Sequence, residues 1–252
     1  MTKIHFAFQA FLTVLLVFVA HNTWSQKHSL DLKGGFSWCD QTGDFLSNTD
    51  PLLRGTYGLN YHFQFKNRVQ IGTGLMQTQT GFNAPIVFVD INGNEIGAAS
   101  TPSSYTFNYL SVPVRIGFQN GNKLFYYGNF GLTASFLTNA AVNSPVFNEN
   151  LEVISYDKYD LSDQIAPIEL AAFLEVGGGY MLNEQLGVFA EGSFCHGFSS
   201  LTSSNFFADN TFYAYRTNLL LGLRYNFNEW SVFAWVKALW LKNHQAFLSK
   251  AP

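Results

Sequence analysis

Charge is scarce in this chain. Only 12% of its 252 residues are Asp, Glu, Lys or Arg, about half the share of an ordinary soluble domain. Long hydrophobic runs are missing as well. Beyond the first 25 residues no stretch offers the about 18 uninterrupted apolar residues of a membrane-crossing helix, which argues against a helical membrane protein. There is no basic cluster and the net charge is −3, so nucleic acid is not expected as a partner. Cysteine is limited to Cys39 and Cys195, with neither a CxxC neighbour nor metal-ligand spacing. A disulfide between them would need an oxidising compartment and adjacent strands. The strands carrying them are not expected to be neighbours, so two separate thiols is the simpler expectation. No HExxH, Gly-rich phosphate loop or paired-Cys site occurs, and neither a metal nor a cofactor is expected.

Aromatics, by contrast, make up 17% of the chain. Many aromatics, little charge and no spanning helix together fit a transmembrane β-barrel. The start of the chain fits an exported protein. Lys3 is followed by an apolar run from Phe6 to Ala20, then by Thr23-Trp24-Ser25, which offers small residues for cleavage before Gln26. Residues 1–25 are therefore expected to be a signal peptide.

Alternation with a period of two decides the fold. It runs through eight segments, at about 28–38, 51–65, 68–81, 105–119, 122–138, 168–182, 185–198 and 212–227. Each is long enough to cross an outer membrane, which takes about 9–11 tilted residues. In the fifth segment Leu124, Tyr126, Phe130, Leu132 and Phe136 share one face, while Lys123, Asn129, Thr133 and Ser135 share the other. Successive strand side chains point to opposite faces, so the first set is expected on lipid and the second in the barrel. Connections alternate in length. Lys66-Asn67, Asn120-Gly121 and Asn183-Glu184 are tight turns, where Asn and Gly tolerate positive φ; 39–50, 82–104, 139–167 and 199–211 are long. Short periplasmic turns and long external loops are the asymmetry of outer-membrane barrels. An open sheet would leave backbone groups unpaired in lipid, so the strands must close. The expected architecture is all-β: an eight-stranded antiparallel up-and-down barrel over residues 26–227, followed by a tail at 228–252. The tail reads as an interfacial helix on the periplasmic side, with Trp230, Phe233, Trp240 and Lys242 as anchors, and a ninth strand is the alternative.

A barrel of eight strands is just wide enough for side chains to fill it. The inward face is expected to hold Asp31, Lys33, Arg54, Gln64, Arg68, Gln70, Arg115, Lys123, Glu169, Glu175, Glu191, Arg216 and Arg224. Buried charges are costly alone, so these are expected to form a paired network rather than an ion path. His62 is expected as a satisfied interior polar group. The long loops carry most of the acids, Asp40, Asp44, Asp50, Asp90, Glu95, Glu149, Glu152, Asp157, Asp160, Asp163 and Asp209, opposed there by Lys158. They read as a solvated surface; divalent-cation contact with lipopolysaccharide or a protein partner is the alternative. For catalysis the sequence offers only His196 and Ser199, in FCHGFSS near the external end of the seventh segment. A lipid-A-modifying enzyme would need a nucleophile and a base together there, and this pair lacks a third group. A small channel is the other alternative.

With the strands placed, YLSVPVRIGF (109–118), FYYGNFGLTASFL (125–137), LEVGGGYMLNEQLGVFAEGSF (174–194) and RTNLLLGLRYNF (216–227) resemble the PorT-like outer-membrane β-barrel family of Bacteroidetes-type bacteria. The resemblance covers nearly all of 28–227 and implies a Gram-negative outer membrane. Members of that family include a component needed for protein export through the type IX system. The tail after Phe227 departs from the pattern. The expectation is thus a monomeric, non-enzymatic outer-membrane barrel with acidic external loops. Its partners would be outer-membrane lipid, lipopolysaccharide and a protein met at the loops or in secretion machinery.

Overall fold

The computed structural model describes residues 27–43, 49–65, 68–99, 101–203 and 211–227. The expected signal peptide and the tail at 228–252 lie outside them. The chain forms β1 (Lys27–Gly43), β2 (Asp50–Gln64), β3 (Val69–Ala84), β4 (Val87–Val89), β5 (Glu95–Ala98), β6 (Ser103–Gly121), β7 (Leu124–Phe147), β8 (Val153–Asp160), β9 (Ile168–Met181), β10 (Leu186–Gly197) and β11 (Phe212–Phe227). Strand order is β6-β3-β2-β1-β11-β10-β9-β7, with β6 pairing back to β7. Eight antiparallel strands therefore close into a ring. Among the described residues, only β8, paired along the far end of β7, and the small β4–β5 hairpin stand outside it.

The alternation explains why these segments are strands and why they close. Leu124, Tyr126, Phe130, Leu132 and Phe136 of β7 all point outward and are exposed, as are Leu219, Leu221, Leu223 and Tyr225 of β11. No protein core covers them. Their apolar surface leaves water by entering lipid, and the closed ring of ladders pairs the backbone of each wall strand with neighbours on both sides.

The short connections are turns with chemical reasons. Asn183 Oδ1 accepts the N–H groups of Gln185 and Leu186 at 2.9 and 2.7 Å. Gly121 takes φ 89° before the β6–β7 turn, a conformation that costs an L-residue its Cβ clearance. Lys66-Asn67 lies outside the described residues, and the left-handed position beside it is taken by Arg68, at φ 71°.

The long connections differ from expectation. Residues 39–50, 82–104 and 139–167 are not wholly loops. β1 continues to Gly43, β4 and β5 form a hairpin, and β7 runs to Phe147 before turning back as β8. The reason is that lipid-facing alternation stops at the membrane border while the backbone ladder goes on. In β7 the register shifts against β6 between Asn108/Asn139 and Tyr109/Leu137, leaving Thr138 as an extra residue. Such a bulge swaps the faces of the strand beyond it, so the hydrophobic pattern breaks where the strand does not. Asp40, expected on a solvated loop, is buried in β1 and receives Thr49 Oγ1 at 2.7 Å and Tyr215 OH at 3.1 Å.

Candidate functional site

The inward faces of the strands fill the barrel in three layers. At the external end Phe82, Phe107, Tyr109, Phe212, Ile165 and Leu201 form a buried apolar cluster. Phe82 stacks on Tyr105 at 4.8 Å and meets Phe212 edge-on at 5.9 Å. Ile165 and Leu201 come from the segments after β8 and β10, which bridge to each other at Ile165 and Thr202. Ile165 and Leu201 are thereby laid against the inward aromatics of β3, β6 and β11.

Below the cap lies a charged layer. Glu169, Glu175 and Glu191 face Lys33, Arg115 and Arg216, all buried, so three acids balance three bases. Arg115 holds both oxygens of Glu175 at 2.9 and 3.1 Å and Asn60 Oδ1 at 3.2 Å. Asn129 donates to Glu175 at 2.5 Å and accepts from Gln70 at 2.6 Å. Lys33 lies 2.5 Å from Glu191 and 3.7 Å from Glu175. Tyr127 OH donates to Glu191 at 2.8 Å. Nearer the external side, Arg216 binds Glu169 at 3.0 Å and reaches Cys195 Sγ at 3.4 Å.

These bonds staple the barrel across its lumen. Lys33 to Glu191 skips β11, Arg115 to Glu175 skips β7, Tyr127 to Glu191 skips β9, and Arg115 to Asn60 skips β3. Each ties strands that share no backbone ladder.

The periplasmic layer is built around Arg224. Its Nε and one terminal nitrogen grip Asp31 at 2.8 and 2.6 Å, and the other terminal nitrogen reaches Gln119 at 2.6 Å. His62 Nε2 sits 3.2 Å from the same Asp31 carboxylate. The guanidinium lies over Phe125, Tyr127 and Phe189, with centroids 4.6, 5.2 and 5.5 Å away, a cation–π stack shielded from water. Glycines on neighbouring strands make room for these rings. A Cβ at Gly177 would stand 2.4 Å from Tyr127, and one at Gly222 would stand 2.3 Å from Phe189.

The charged layer holds a cavity of about 50 Å³ bordered by Lys33, Arg115, Glu175, Glu191 and Arg216. That is room for a few water molecules.

Of the inward charges expected from sequence, the structure brings together Asp31, Lys33, Arg115, Glu169, Glu175, Glu191, Arg216 and Arg224, and places Gln70 among them. Arg54 is half-buried higher up and donates to Thr106 Oγ1 at 2.7 Å. Arg68 and Lys123 do not belong to the lumen. Both are exposed, and Lys123 lies in the β6–β7 turn with its ammonium 5.4 Å from the Tyr180 ring. Parity carried past a strand end into a turn no longer reports a face. The inward aromatics Phe82, Phe107, Tyr109, Phe125, Tyr127 and Phe189 were missed. The signal was available, because Tyr127 shares parity with Asn129 and Phe189 with Glu191.

Cys39 and Cys195 are both free thiols. Both pair with Arg216, one from each side of β11. Two strand spacings, about 9.6 Å, exceed the reach of a disulfide. His196 is exposed on the outer surface. Ser199 Oγ accepts the Leu170 N–H at 2.8 Å, and among the described residues no hydrogen bond joins it to His196. Among the described residues no group of His, Cys, Asp and Glu is arranged to hold a metal.

Outside the membrane, β7 and β8 form a hairpin whose tip is locked by Asn148. Its Oδ1 accepts Asn150 N–H and Glu152 N–H at 3.0 and 2.9 Å, and its Nδ2 donates to Glu152 at 3.0 Å. Leu151 takes φ 62° there. In the β4–β5 turn, Asp90 accepts Asn92 N–H and Asn94 N–H, both at 2.8 Å, and Asn94 Nδ2 at 3.0 Å. The side-chain and backbone bonds from Asn94, then those from Asn92, hold the Asp90 carboxyl below its ordinary range. Ser162, through side chain and backbone, does the same for Asp160.

No curated protein matches the chain. Among solved structures it is similar to a major outer membrane protein from Thermus thermophilus at 12% identity and TM-score 0.48. It is also similar to Neisserial surface protein A at 8% and 0.44, and to the attachment invasion locus protein Ail of Yersinia pestis at 14% and 0.40. Each of the three likenesses covers 81% of this chain and 100% of the other. Residues 24–203 match the family model described as outer membrane protein beta-barrel domain, and the chain belongs to that family, a β-barrel of the outer membrane.

Proposed function

We propose that this protein is a non-conducting, non-enzymatic barrel that works through its external β-structure, as an interaction or accessory secretion component. The observation that carries the reading is the filled lumen. An ion path needs a continuous wet route, whereas here an apolar cap lies above a neutral charge network and an aromatic–arginine layer lies below it. The cavity between them lined by Lys33, Arg115 and Glu191 is about 50 Å³. With the interior committed to structure, the surfaces left for recognition are the outer ends of the strands and their loops. The sequence resemblance to PorT-like barrels supports secretion as the setting, and outer-membrane lipid and lipopolysaccharide are the surroundings.

The test is complementation of a deletion strain. The intact chain and a chain whose 146–154 segment is replaced by a tight turn are compared for secreted and surface protein profiles. The intact chain is expected to restore the parental profile and the shortened one to fail, at equal barrel levels in the outer membrane. Equal rescue by both chains would refute the reading.

A further inference from the structure

We propose that the free edge of β8 is a docking site for an extended, basic polypeptide segment, which adds to the barrel's external sheet as one more strand. The proposal rests on the reading of the external β-structure as the working part.

The edge is real and pre-formed. β8 ends the strand order, so its far side is unpaired among the described residues. It lies beyond the lipid band. The outward apolar series of β7 ends at Phe136, while β8 pairs with β7 only from Ala141 to Phe147. The ladder also tells which groups are free. Leu161 N–H donates to Ala140 O, and hydrogen-bonded pairs alternate along an antiparallel ladder. With the register Val142–Tyr159, Ser144–Asp157 and Val146–Ser155, Ser155, Asp157 and Tyr159 bond to β7. Tyr156 and Lys158 then turn their N–H and C=O groups to the open side, while Ile154 is the extra residue where the register shifts between Val146–Ser155 and Phe147–Val153. Pro145, opposite Tyr156, agrees with this phase, since its missing donor would point away from β8.

An unpaired edge in water is usually blunted by charges or a bulge. This one carries Lys158 and a register shift at its start, yet it exposes Ile154, Tyr156 and Tyr159 on a hairpin whose tip is fixed by Asn148, so little ordering is left for binding. Charge selects the occupant. Residues 148–163 carry Glu149, Glu152, Asp157, Asp160 and Asp163 against Lys158. A second copy of β8 would bring acid onto acid, whereas a Lys- or Arg-bearing strand would be complementary. Main-chain bonds would supply affinity and the acids selectivity, as in strand addition generally.

The test uses the full-length barrel refolded in nanodiscs and three eight-residue probes: an alternating Lys-Val peptide, an alternating Glu-Val peptide, and the β8 sequence VISYDKYD itself. The Lys-Val peptide is expected to bind at least tenfold more tightly than the other two. Hydrogen exchange should slow at the amides of Tyr156 and Lys158 but not at Ser155, Asp157 or Tyr159. Lys158→Pro removes an edge donor at a position where Pro is tolerated. It also removes a cation, which by charge alone would strengthen binding, so a tenfold loss in this variant reports the edge. No binding of the Lys-Val peptide, equal binding of the Lys-Val and Glu-Val peptides, preferred binding of VISYDKYD, or unchanged binding by Lys158→Pro would each overturn the proposal. A failed rescue by the shortened chain with no peptide binding would refute the edge and leave the external reading standing. Peptide binding by a barrel that conducts would do the reverse.

Discussion

Glu175 is the keystone of the charged layer, and replacing it with Gln tests the account of the lumen most sharply. In the protein its carboxylate receives Arg115 on both oxygens, receives Asn129 and lies near Lys33. Lys33 keeps Glu191 at 2.5 Å when Glu175 is neutralised. Arg115 keeps Asn60 at 3.2 Å, the Phe173 ring at 5.5 Å and the one carbonyl oxygen of the new amide, but no carboxylate. The guanidinium and the carboxylate side chain are 1% and 3% exposed, so solvent does not screen the loss. Removing one partner of a buried ion pair costs about 3–5 kcal/mol, because the other charge stays buried and unpaired. Glu175→Gln is therefore expected to lower barrel stability by about that amount. The assay is urea unfolding of barrel refolded into lipid vesicles, followed by tryptophan fluorescence; Trp38 reports from the lipid-facing wall. Adding Arg115→Met removes the stranded charge, and the double variant is expected to recover most of the loss. A single variant within about 1 kcal/mol of the parent, or a double variant no better than the single, would refute the reasoning.

Three further outcomes follow from other parts of the structure. Gly177→Ala places a Cβ 2.4 Å from the Tyr127 ring, and by overpacking should cost about 1–3 kcal/mol in the same unfolding assay. Leu151→Gly relieves a left-handed residue at the hairpin tip and should stabilise the β7–β8 hairpin by up to about 1 kcal/mol, read as slower amide exchange there. The folded-state pKa of Asp90 is depressed by its Asn94 and Asn92 bonds. Its contribution to the β4–β5 turn is therefore complete above the ordinary carboxylate range and lost as pH falls through the lower folded value. Amide protection at Asn92 and Asn94 should hold through neutral and mildly acidic pH and disappear only in strong acid, and Asp90→Asn should remove that dependence.

The strands were legible because lipid imposes a one-dimensional rule. Each outward position must be apolar, so Leu219, Leu221 and Leu223 betray the wall with no knowledge of their neighbours. The rule also marked Glu169, Glu175, Glu191 and Arg224 as inward. It could not pair them. Arg115 meets Glu175 across β7, and Lys33 meets Glu191 across β11, at separations set by the stagger of a closed barrel rather than by spacing in the chain. Nor did it see the inward aromatics. A polar lumen was assumed, whereas Tyr127 and Phe189 are accommodated by Gly177 and Gly222 on adjacent strands. The rule also ends where the lipid ends, which is why β8 and the far half of β7 read as loop. Their alternation answers to water, to Asn148 and to a bulge at Thr138.

The proposed function divides the molecule into a lumen that holds the wall together and external strands that meet other molecules. The most direct test of that division is single-channel recording of the folded barrel in planar bilayers. Folding would be verified beforehand by its resistance to unfolding in detergent. The account predicts a silent membrane, with no conductance steps, because the cap around Phe82, Phe107 and Phe212 and the layer around Arg224 close both ends. Reproducible steps of defined size from folded protein would contradict it.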